Sequence, residues 1–248
     1  MRYMLAVAYR EYRIRLTNPI LPLWDVLVPV IYLVVFGASL DRLLGTHAGT
    51  DYTTFFLGGV LSMVTFSIAM NTSYAFFEDL QSGIFHELLT YPFARRDLLI
   101  GKLLFNAGFS VVGSLCCVLA GALVLGIRVS SVGLPLALLW VLIGTAAWYF
   151  LFSWTALRIR GFNAYHSTSA GLYMLLMFIS NLFYPTEQLP SWIRWLAWLN
   201  PVTWQTDLIR HYSYGATTPY LGYESVAFLG FLLVTYAAAN RSLNGTIE

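Results

Sequence analysis

The sequence predicts an all-α membrane protein that forms a single transmembrane domain over residues 1–248. Its composition is 58% hydrophobic and 10% charged, whereas soluble domains carry about 25% charged residues. Six apolar segments are long enough to cross a bilayer, which requires about 20 residues per helix. A net charge of +2 gives no indication of a nucleic-acid partner. We therefore expect six transmembrane helices, together with shorter amphipathic helices at the two membrane surfaces.

Residues 1–20 predict a helix that lies on the membrane surface. At 100° per residue, four apolar side chains fall within about 60° of one another: Leu5, Tyr9, Tyr12 and Leu16. Three charged residues fall elsewhere on the helix: Arg10, Glu11 and Arg15. Val7 and Ile14 lie opposite the apolar stripe, so a disordered cytoplasmic tail is the alternative.

The six predicted spans are separated by short polar or proline-containing segments. They comprise residues 23–40, 52–76, 103–127, 134–157, 162–183 and 221–240. The deep polar side chains within them are neutral, among them Asn71, Thr72 and Asn181, and such groups must find partners inside the bundle. Asp25 and Glu224 lie near span ends. A proton relay is not expected, because it needs a buried acid or base near mid-membrane.

The segment of residues 77–102 holds seven of the 26 charged residues, which are 14 basic and 12 acidic. Assigning the loops alternately places ten basic residues on one side of the membrane and four on the other. The side that is richer in Lys and Arg is the cytoplasmic side. Both termini and residues 77–102 are therefore expected in the cytoplasm.

Residues 184–220 are too interrupted for one span and too apolar for an ordinary loop. Four prolines break the segment: Pro185, Pro190, Pro201 and Pro219. Three tryptophans recur at a spacing of three: Trp192, Trp195 and Trp198. This spacing places the rings on one broad helix face, and Trp favours the depth of the membrane interface. We expect two short re-entrant helices in the outer leaflet, the first starting at Pro190 and the second following Asn200 and Pro201.

No pattern for catalysis, nucleotide binding or metal binding is found in the sequence. Gly101-Lys102 is followed by Leu103 and lacks the upstream glycine of a phosphate-binding loop. The four histidines are scattered, and neither they nor the adjacent Cys116 and Cys117 match a metal-ligand spacing. No serine nucleophile motif occurs. The chain is therefore predicted not to be an enzyme and not to bind a metal. If it forms part of a pump, the energy must come from a partner protein.

Two motifs occur in the order and topology of a known family. The first is an acid pair, a glycine, an acid-leucine-leucine, a proline, two arginines and a glycine-lysine: Glu78-Asp79, Gly83, Glu87-Leu88-Leu89, Pro92, Arg95-Arg96 and Gly101-Lys102. The second precedes the last span: Phe183-Tyr184-Pro185, Leu189-Pro190, Trp192, Leu199-Asn200-Pro201, Asp207 and Arg210. Together they resemble the permeases of ABC-2-type transporters, although many members have Gly-Thr where this chain has Gly83-Ile84.

The resemblance implies a homodimer of this subunit in the inner, cytoplasmic membrane of a prokaryote, with two copies of a separate ATP-binding subunit. ATP and magnesium would bind to that partner, and this chain would bind no cofactor. Such assemblies export drugs, antibiotics, lipids or lipid-linked glycans. We expect a small amphipathic or drug-like substrate, with a lipid-linked glycan or polysaccharide as the alternative. A membrane-embedded transferase and a passive channel are the alternatives from other classes, and co-purification of an ATPase distinguishes them.

Three groups of functional residues follow. A cytoplasmic coupling helix that contacts the ATPase is expected to include Glu78, Asp79, Gly83, Phe85, Glu87, Leu88, Pro92, Arg95 and Arg96, with Phe85 and Leu88 as apolar anchors. A substrate path on the twofold axis, between the first and second or the second and fifth spans, is expected to include Asn71, Thr72 and Asn181. The outer helices are expected to form a gate that includes Pro190, Trp192, Trp195, Trp198 and Pro201. The alternatives are a solvated loop that only fixes topology and a static outer anchor.

Overall fold

The computed structural model describes residues 2–40, 46–47, 50–88 and 94–245. These residues form ten α-helices, one π-helical turn, one 3-10 turn and one antiparallel pair of two-residue strands. The helices are α1 (Arg2–Thr17), α2 (Ile20–Ile31), α3 (Tyr52–Gln81), α4 (Ile84–Leu88), α5 (Arg95–Leu125), α6 (Leu134–Arg158), α7 (Phe162–Phe178), α8 (Ser191–Trp198), α9 (Pro201–Tyr214) and α10 (Leu221–Gly245). The π-helical turn Tyr32–Gly37 extends α2, the 3-10 turn is Thr186–Gln188, and β1 (Thr46–His47) pairs with β2 (Thr50–Asp51).

Among the described residues, five helical segments are long and apolar enough to cross a membrane: Pro22–Leu40, α3, α5, α6 and α10. They correspond to five of the six predicted spans, which are thereby confirmed in length and composition. The sixth, predicted over residues 162–183, is the 17-residue helix α7. At 1.5 Å per residue α7 is about 25 Å long, which is shorter than the roughly 30 Å hydrocarbon core. The helix therefore ends before the predicted boundary of this span.

Helix α3 is the centre of the bundle and packs against α2, α5, α6 and α9. Its apolar side chains point in every direction, which is the pattern of a helix surrounded by others, and 78% of its apolar window is buried. Phe66 lies edge-on to Trp148 and Phe152 of α6, with ring centroids 4.4 and 5.3 Å apart. Each such aromatic pair adds about 0.5–1.5 kcal/mol beyond the area that it buries.

Two neighbouring glycines of α3 allow the chain after α7 to approach this central helix. A Cβ atom on Gly59 would lie 2.4 Å from the carbonyl oxygen of Leu182. A Cβ atom on Gly58 would lie 2.4 Å from Cγ of Arg210. A backbone carbonyl cannot move aside as a flexible side chain can, so Gly59 is the more restrictive of the two positions.

We expect Gly59→Ala to destabilise the bundle by about 1–3 kcal/mol, the usual cost of overpacking a core. Gly108→Ala on α5 is the matched control, because its added Cβ would meet no atom within 4 Å and Ala is preferred to Gly inside a helix. Thermal unfolding in detergent should therefore show a lower midpoint for Gly59→Ala alone. Equal midpoints for the two variants would mean that α3 and the turn after α7 do not approach so closely.

Helix α1 is present as predicted, and its apolar stripe faces outward. Four apolar side chains are exposed: Leu5, Tyr9, Tyr12 and Leu16. The opposite side of the helix packs on α5, where Val7 is buried against Gly101, whose added Cβ would lie 2.7 Å from Cβ of Val7. The chain is helical over Arg2–Thr17, so the alternative of a disordered tail is wrong. An outward apolar stripe is suited to contact with lipid.

The two short helices predicted before the last span are present as α8 and α9. Pro190 precedes α8. Oδ1 of Asn200 accepts a hydrogen bond from the backbone N–H of Val202 at 2.9 Å, which caps α9, and Pro201 occupies its first turn. The tryptophans of α8 are exposed: Trp192, Trp195 and Trp198. Helix α9, by contrast, packs between α3, α6 and α10 and buries most of one side.

Candidate coupling site and substrate path

The segment that was predicted to contact an ATPase is divided between three helices. Helix α3 continues through Glu78 and Asp79, and the chain then bends at Gly83, whose φ of +81° favours glycine. The short helix α4 follows this bend. Helix α5 begins at Arg95 and includes Lys102. The second and third predicted spans therefore lie within longer helices, because the polar residues beyond the apolar runs are also compatible with a helix.

Four charged side chains fasten α1 to the ends of α3 and α5. We call them the basal charge cluster: Arg10, Glu11, Asp79 and Lys102. The guanidinium of Arg10 donates to the two carboxylate oxygens of Asp79 at 2.9 and 3.0 Å. Nζ of Lys102 lies 2.7 Å from an oxygen of Asp79 and 2.7 Å from an oxygen of Glu11. Their side chains are largely buried: Lys102 is 4% exposed, Glu11 5% and Asp79 10%.

The basal charge cluster is electrically balanced, with two acids and two bases. A buried charge is costly unless it is paired and hydrogen-bonded, and each carboxylate here faces a cation. The hydrogen bonds from Arg10 to Asp79 raise the pKa of Arg10, against the lowering that burial causes. Asp79 therefore stabilises the contact of α3 with α1 and α5 from a buried position. From the sequence, Arg10 and Glu11 were noted only as charges off the apolar stripe of α1 and Lys102 only as part of the first motif, and none of the three was predicted as a site residue.

Exposed charges surround the bend between α3 and α4. Glu78, Glu87 and Arg96 are exposed, so three of the residues predicted to contact an ATPase are accessible at this surface. Arg95 instead donates to the backbone carbonyl of Asn244 at 3.1 Å, which connects the start of α5 with the end of α10. The predicted group thus separates into surface residues and residues that connect the helices beneath them.

The apolar residues of the same segment have a different position from that predicted. Phe85 is 3% exposed and lies edge-on to Phe76, with ring centroids 6.0 Å apart. It fills the subunit's own core, so its predicted role as an anchor that inserts into a partner does not fit this structure. The side chain of Leu88 and all of Pro92 lie outside the residues that the structure describes.

Asn71 belongs to a second polar network, which joins α1, α2, α3 and α5. One guanidinium nitrogen of Arg15 lies 3.1 Å from Asp25, and the other donates to Asn106 at 2.5 Å. The amide of Asn71 donates to the other oxygen of Asp25 at 2.6 Å. The network borders a cavity of about 540 Å³, which we call the inner cleft. Its other lining residues include Trp24, Tyr74, Glu78, His166 and Ser169.

The three residues predicted to line a substrate path do not line a common passage within one subunit. Asn71 borders the inner cleft. Thr72 is 1% exposed, and its hydroxyl donates to the carbonyl of Ile68 in its own helix at 2.6 Å. Asn181 borders a different cavity, of about 400 Å³, and donates to Asp207 at 2.7 Å. A path through all three would need more than one copy of the chain.

Arg210 clamps the turn that follows α7. Its guanidinium donates to the carbonyls of Phe55 and Asn181 at 3.1 Å each, and to that of Leu182 at 3.3 Å. It also lies over the ring of Phe55, 3.6 Å from the centroid, and 3.5 Å from Asp207. The Asp207 and Arg210 of the second motif therefore hold α9 to α3 and to the turn. These bonds also give partners to two backbone carbonyl groups of the turn after α7.

A further set of buried polar groups connects α9 to its neighbours. The indole N–H of Trp148 donates to Gln205 at 2.6 Å, and Gln205 donates to Thr65 at 2.8 Å. Thr206 donates to Ser62 at 3.0 Å. These bonds are structural, because hydroxyl and amide groups that pair with one another stabilise helix contacts in membranes. Within the described ranges, no three His, Cys, Asp or Glu side chains are grouped as metal ligands would be.

Comparison with known proteins agrees with this arrangement. Residues 2–214 match the family described as ABC-2 type transporter. The chain is 27% identical over 202 residues to the daunorubicin resistance ABC transporter permease protein DrrB1 of Streptomyces coeruleorubidus, covering 77% of this chain and 67% of that protein. It is 26% identical over 200 residues to the putative transport permease ycf38 of Cyanophora paradoxa, covering 78% and 68%.

A third relative is the probable multidrug ABC transporter permease YbhR of Escherichia coli strain K12, which is 24% identical over 173 residues, covering 64% of this chain and 44% of that protein. The family match covers most of the chain, including both motifs and all but the last of the predicted spans. The charge-paired base, the bend and the helices that could cross a membrane lie within or adjoin the matched region. The chain is thus an integral membrane transport permease and belongs to the ABC-2 type transporter family.

Proposed function

We propose that this chain is the membrane subunit of an ATP-driven exporter that moves small amphipathic or drug-like compounds out of the cytoplasm or the inner leaflet. The names of two relatives, a daunorubicin resistance permease and a probable multidrug permease, support this substrate class. ATP and magnesium would be bound by a separate subunit. The observation that carries the proposal is the bend between α3 and α4. Exposed Glu78 and Glu87 lie on either side of this bend, and Asp79, the residue after Glu78, is buried and paired with Arg10 and Lys102.

The bend between α3 and α4 is suited to receive force from a partner. Glu78 and Glu87 are exposed there, and exposed charges give orientation and specificity to a contact that must also move. Asp79 lies one residue from Glu78 and is held by Arg10 and Lys102. A displacement of α4 would therefore be transmitted to α1 and α5 together with the central helix α3. We accordingly propose residues 77–102 as the coupling region.

A direct test is to isolate the tagged chain from its native membrane in mild detergent. We expect a cytoplasmic ATP-binding subunit to co-purify in equal copy number, two copies with two of this chain, and to hydrolyse ATP. A transferase or a passive channel would be isolated without such a subunit. The absence of any ATP-binding protein at stoichiometric amounts, in a preparation where the chain remains folded, would contradict the proposal.

We further propose a homodimer that contacts through α2 and α7. The apolar window of Pro22–Leu40 is only 22% buried in the subunit, and α7 buries Tyr165, Ser169 and Met177 alone. The second span, α3, is enclosed by its own subunit and offers little free surface. In this arrangement α7 serves as the sixth span, because a short helix is tolerated where a partner helix covers it. The termini would then both be cytoplasmic.

Cysteine cross-linking tests this contact in a variant that lacks Cys116 and Cys117. Val35, in the π-helical turn that extends α2, and Met174, on α7, are both exposed. We expect a single cysteine at either position to form a disulfide with the same residue of a second copy, or Val35 of one copy to pair with Met174 of the other when both are replaced by cysteine. Leu123 on α5 is also exposed and serves as the control. Cross-links at Leu123 with none at Val35 or Met174 would place the interface on another face.

The outer helices are proposed to act as a gate between transport strokes. We expect the double replacement of Trp195 and Trp198 by Ala to uncouple ATP hydrolysis from export. Both rings line a cavity of about 430 Å³ that is also bordered by Glu224, near the start of α10. Trp192→Ala is the matched control, since Trp192 is exposed and is not among the lining residues of that cavity. Equal, wild-type coupling in the two variants would indicate that α8 is only an anchor in the membrane.

A further inference from the structure

Two adjoining cavities lie at the end of the bundle that is remote from the basal charge cluster. One has a volume of about 400 Å³ and is bordered by Phe55, near the start of α3. The other has a volume of about 430 Å³. They share three lining residues: Trp198, Tyr220 and Glu224. Phe55 and Asp79 are 24 residues apart on α3, or about 36 Å at 1.5 Å per residue. We call the two cavities together the outer site.

Glu224 is a buried carboxylate without a cation beside it. It is 6% exposed, and the hydroxyl of Thr218 donates to its two oxygens at 3.3 and 3.4 Å. Among the residues that the structure describes, no Lys, Arg or His lies within 4 Å of its oxygens. An ionised carboxylate in such surroundings is costly unless a positive partner is supplied. The basal charge cluster shows the opposite situation, in which every carboxylate is paired.

Two acidic side chains and one cation are found among the described lining residues of the outer site. Asp207 is a second carboxylate, which accepts from Asn181 at 2.7 Å. Arg210 is the one cation among the described lining residues. Its N–H groups already serve three backbone carbonyls and its charge faces Asp207 at 3.5 Å. Glu224 faces the carboxyl group of Asp207, so a single guanidinium serves two neighbouring acidic side chains.

Aromatic rings and an unpaired acceptor complete the walls. Trp198 and Tyr220 lie with ring centroids 6.4 Å apart, and Trp204 lies edge-on to Tyr223 at 6.1 Å. The indole N–H of Trp204 donates to the carbonyl of Trp198 at 2.6 Å, which fixes the two residues relative to each other. Oδ1 of Asn181 is buried and has no hydrogen-bond partner within the described chain. Aromatic faces and free acceptor oxygens both attract positive charge.

We propose that the outer site binds an amphipathic organic cation. The positive group is held at Glu224, and the apolar part of the ligand lies against the rings of Trp198 and Tyr220. This inference rests on the proposed function and makes it more specific: the exported compounds include organic cations, which are held at this site before release. Glu224 selects for a positive charge and the tryptophan rings select for an apolar body, so a ligand needs both features to bind well.

Equilibrium dialysis with the full chain in lipid nanodiscs tests the site without any partner subunit. The probe is tetraphenylphosphonium, and tetraphenylborate, with the same four phenyl groups and the opposite charge, is its control; binding to empty nanodiscs is subtracted. We expect Glu224→Gln to raise the Kd of the cation about tenfold, the range expected for loss of a charged contact. Trp198→Leu should raise it about threefold or more. Asp51→Asn, which removes an exposed carboxylate that does not line either cavity, should leave it unchanged.

The outcomes separate the site from the function. Equal cation binding by wild type, Glu224→Gln and Trp198→Leu would overturn the site, as would equal binding of the cation and the anion by wild type. A variant that elutes as aggregate is replaced by Glu224→Asp, which keeps the charge and should keep most of the binding. Binding that depends on Glu224, in a complex that shows no ATP-driven export, would overturn the proposed function but not the site. ATP-driven export by a complex that shows no such binding would overturn the site but not the proposed function.

Discussion

Lys102→Met should lower the stability of the chain by about 3–5 kcal/mol, the usual cost of removing one partner from a buried ion pair. Nζ of Lys102 lies 2.7 Å from both Asp79 and Glu11. Without it, two buried carboxylates share the single guanidinium of Arg10. We expect the thermal midpoint in detergent to fall by roughly 10 °C and the amount of chain in the membrane to fall with it.

Two matched variants distinguish charge imbalance from lost packing. Lys102→Met combined with Asp79→Asn removes one charge of each sign, so the double variant should lose less stability than Lys102→Met alone. Arg13→Gln removes a charge from the exposed side of α1 and should change the midpoint little. A double variant that is no more stable than the single one would mean that the basal charge cluster is not held by charge balance.

Glu87→Lys should abolish substrate-stimulated ATP hydrolysis in the assembled transporter while leaving membrane insertion normal. Glu87 is exposed on α4, next to the bend that is proposed to receive the partner. Reversal of a charge at such a contact replaces attraction with repulsion, which costs more than its removal. The stimulated rate should fall to the basal rate, as measured by phosphate release from the purified complex in nanodiscs.

Arg13→Glu is the control for this reversal, because it also reverses a charge, by two units of the opposite sign, at an exposed position of α1 outside the proposed contact. It should retain substrate stimulation. Normal stimulation in Glu87→Lys, with the ATP-binding subunit still bound, would show that α4 does not transmit the coupling. Loss of stimulation in both variants would indicate a general response to charge and not a contact at Glu87.

The membrane spans could be predicted from the sequence because hydropathy reports directly on which segments are able to lie in lipid. Helix ends could not, since hydropathy does not measure helicity. Helix α3 continues through Glu78 and Asp79 until Gly83 allows the bend, and α5 begins well before its apolar run. Helix α7 ends early where Arg210, about 30 residues later in the chain, holds the carbonyls of Asn181 and Leu182.

The contacts of the candidate site residues could not be predicted, because their partners lie far away in sequence. Asp79 was assigned to the coupling region, but its contacts with Arg10 and Lys102 depend on how α1 packs against α3 and α5. The exposed stripe of α1 was predicted, whereas the buried charges on its other side were not. Trp198 was noticed for its spacing, and Glu224 only as an acid near the end of a span; their convergence on one site required the tertiary structure.

The central claim is that ATP hydrolysed by a partner drives export through this chain. Inside-out membrane vesicles that contain the chain with its co-purified ATP-binding subunit test it most directly, by uptake of a fluorescent drug-like amphipath. We expect accumulation that requires ATP and magnesium, that fails with a non-hydrolysable ATP analogue, and that is lost in Glu87→Lys. Accumulation at the same rate without ATP, or in vesicles that lack the chain, would contradict the claim.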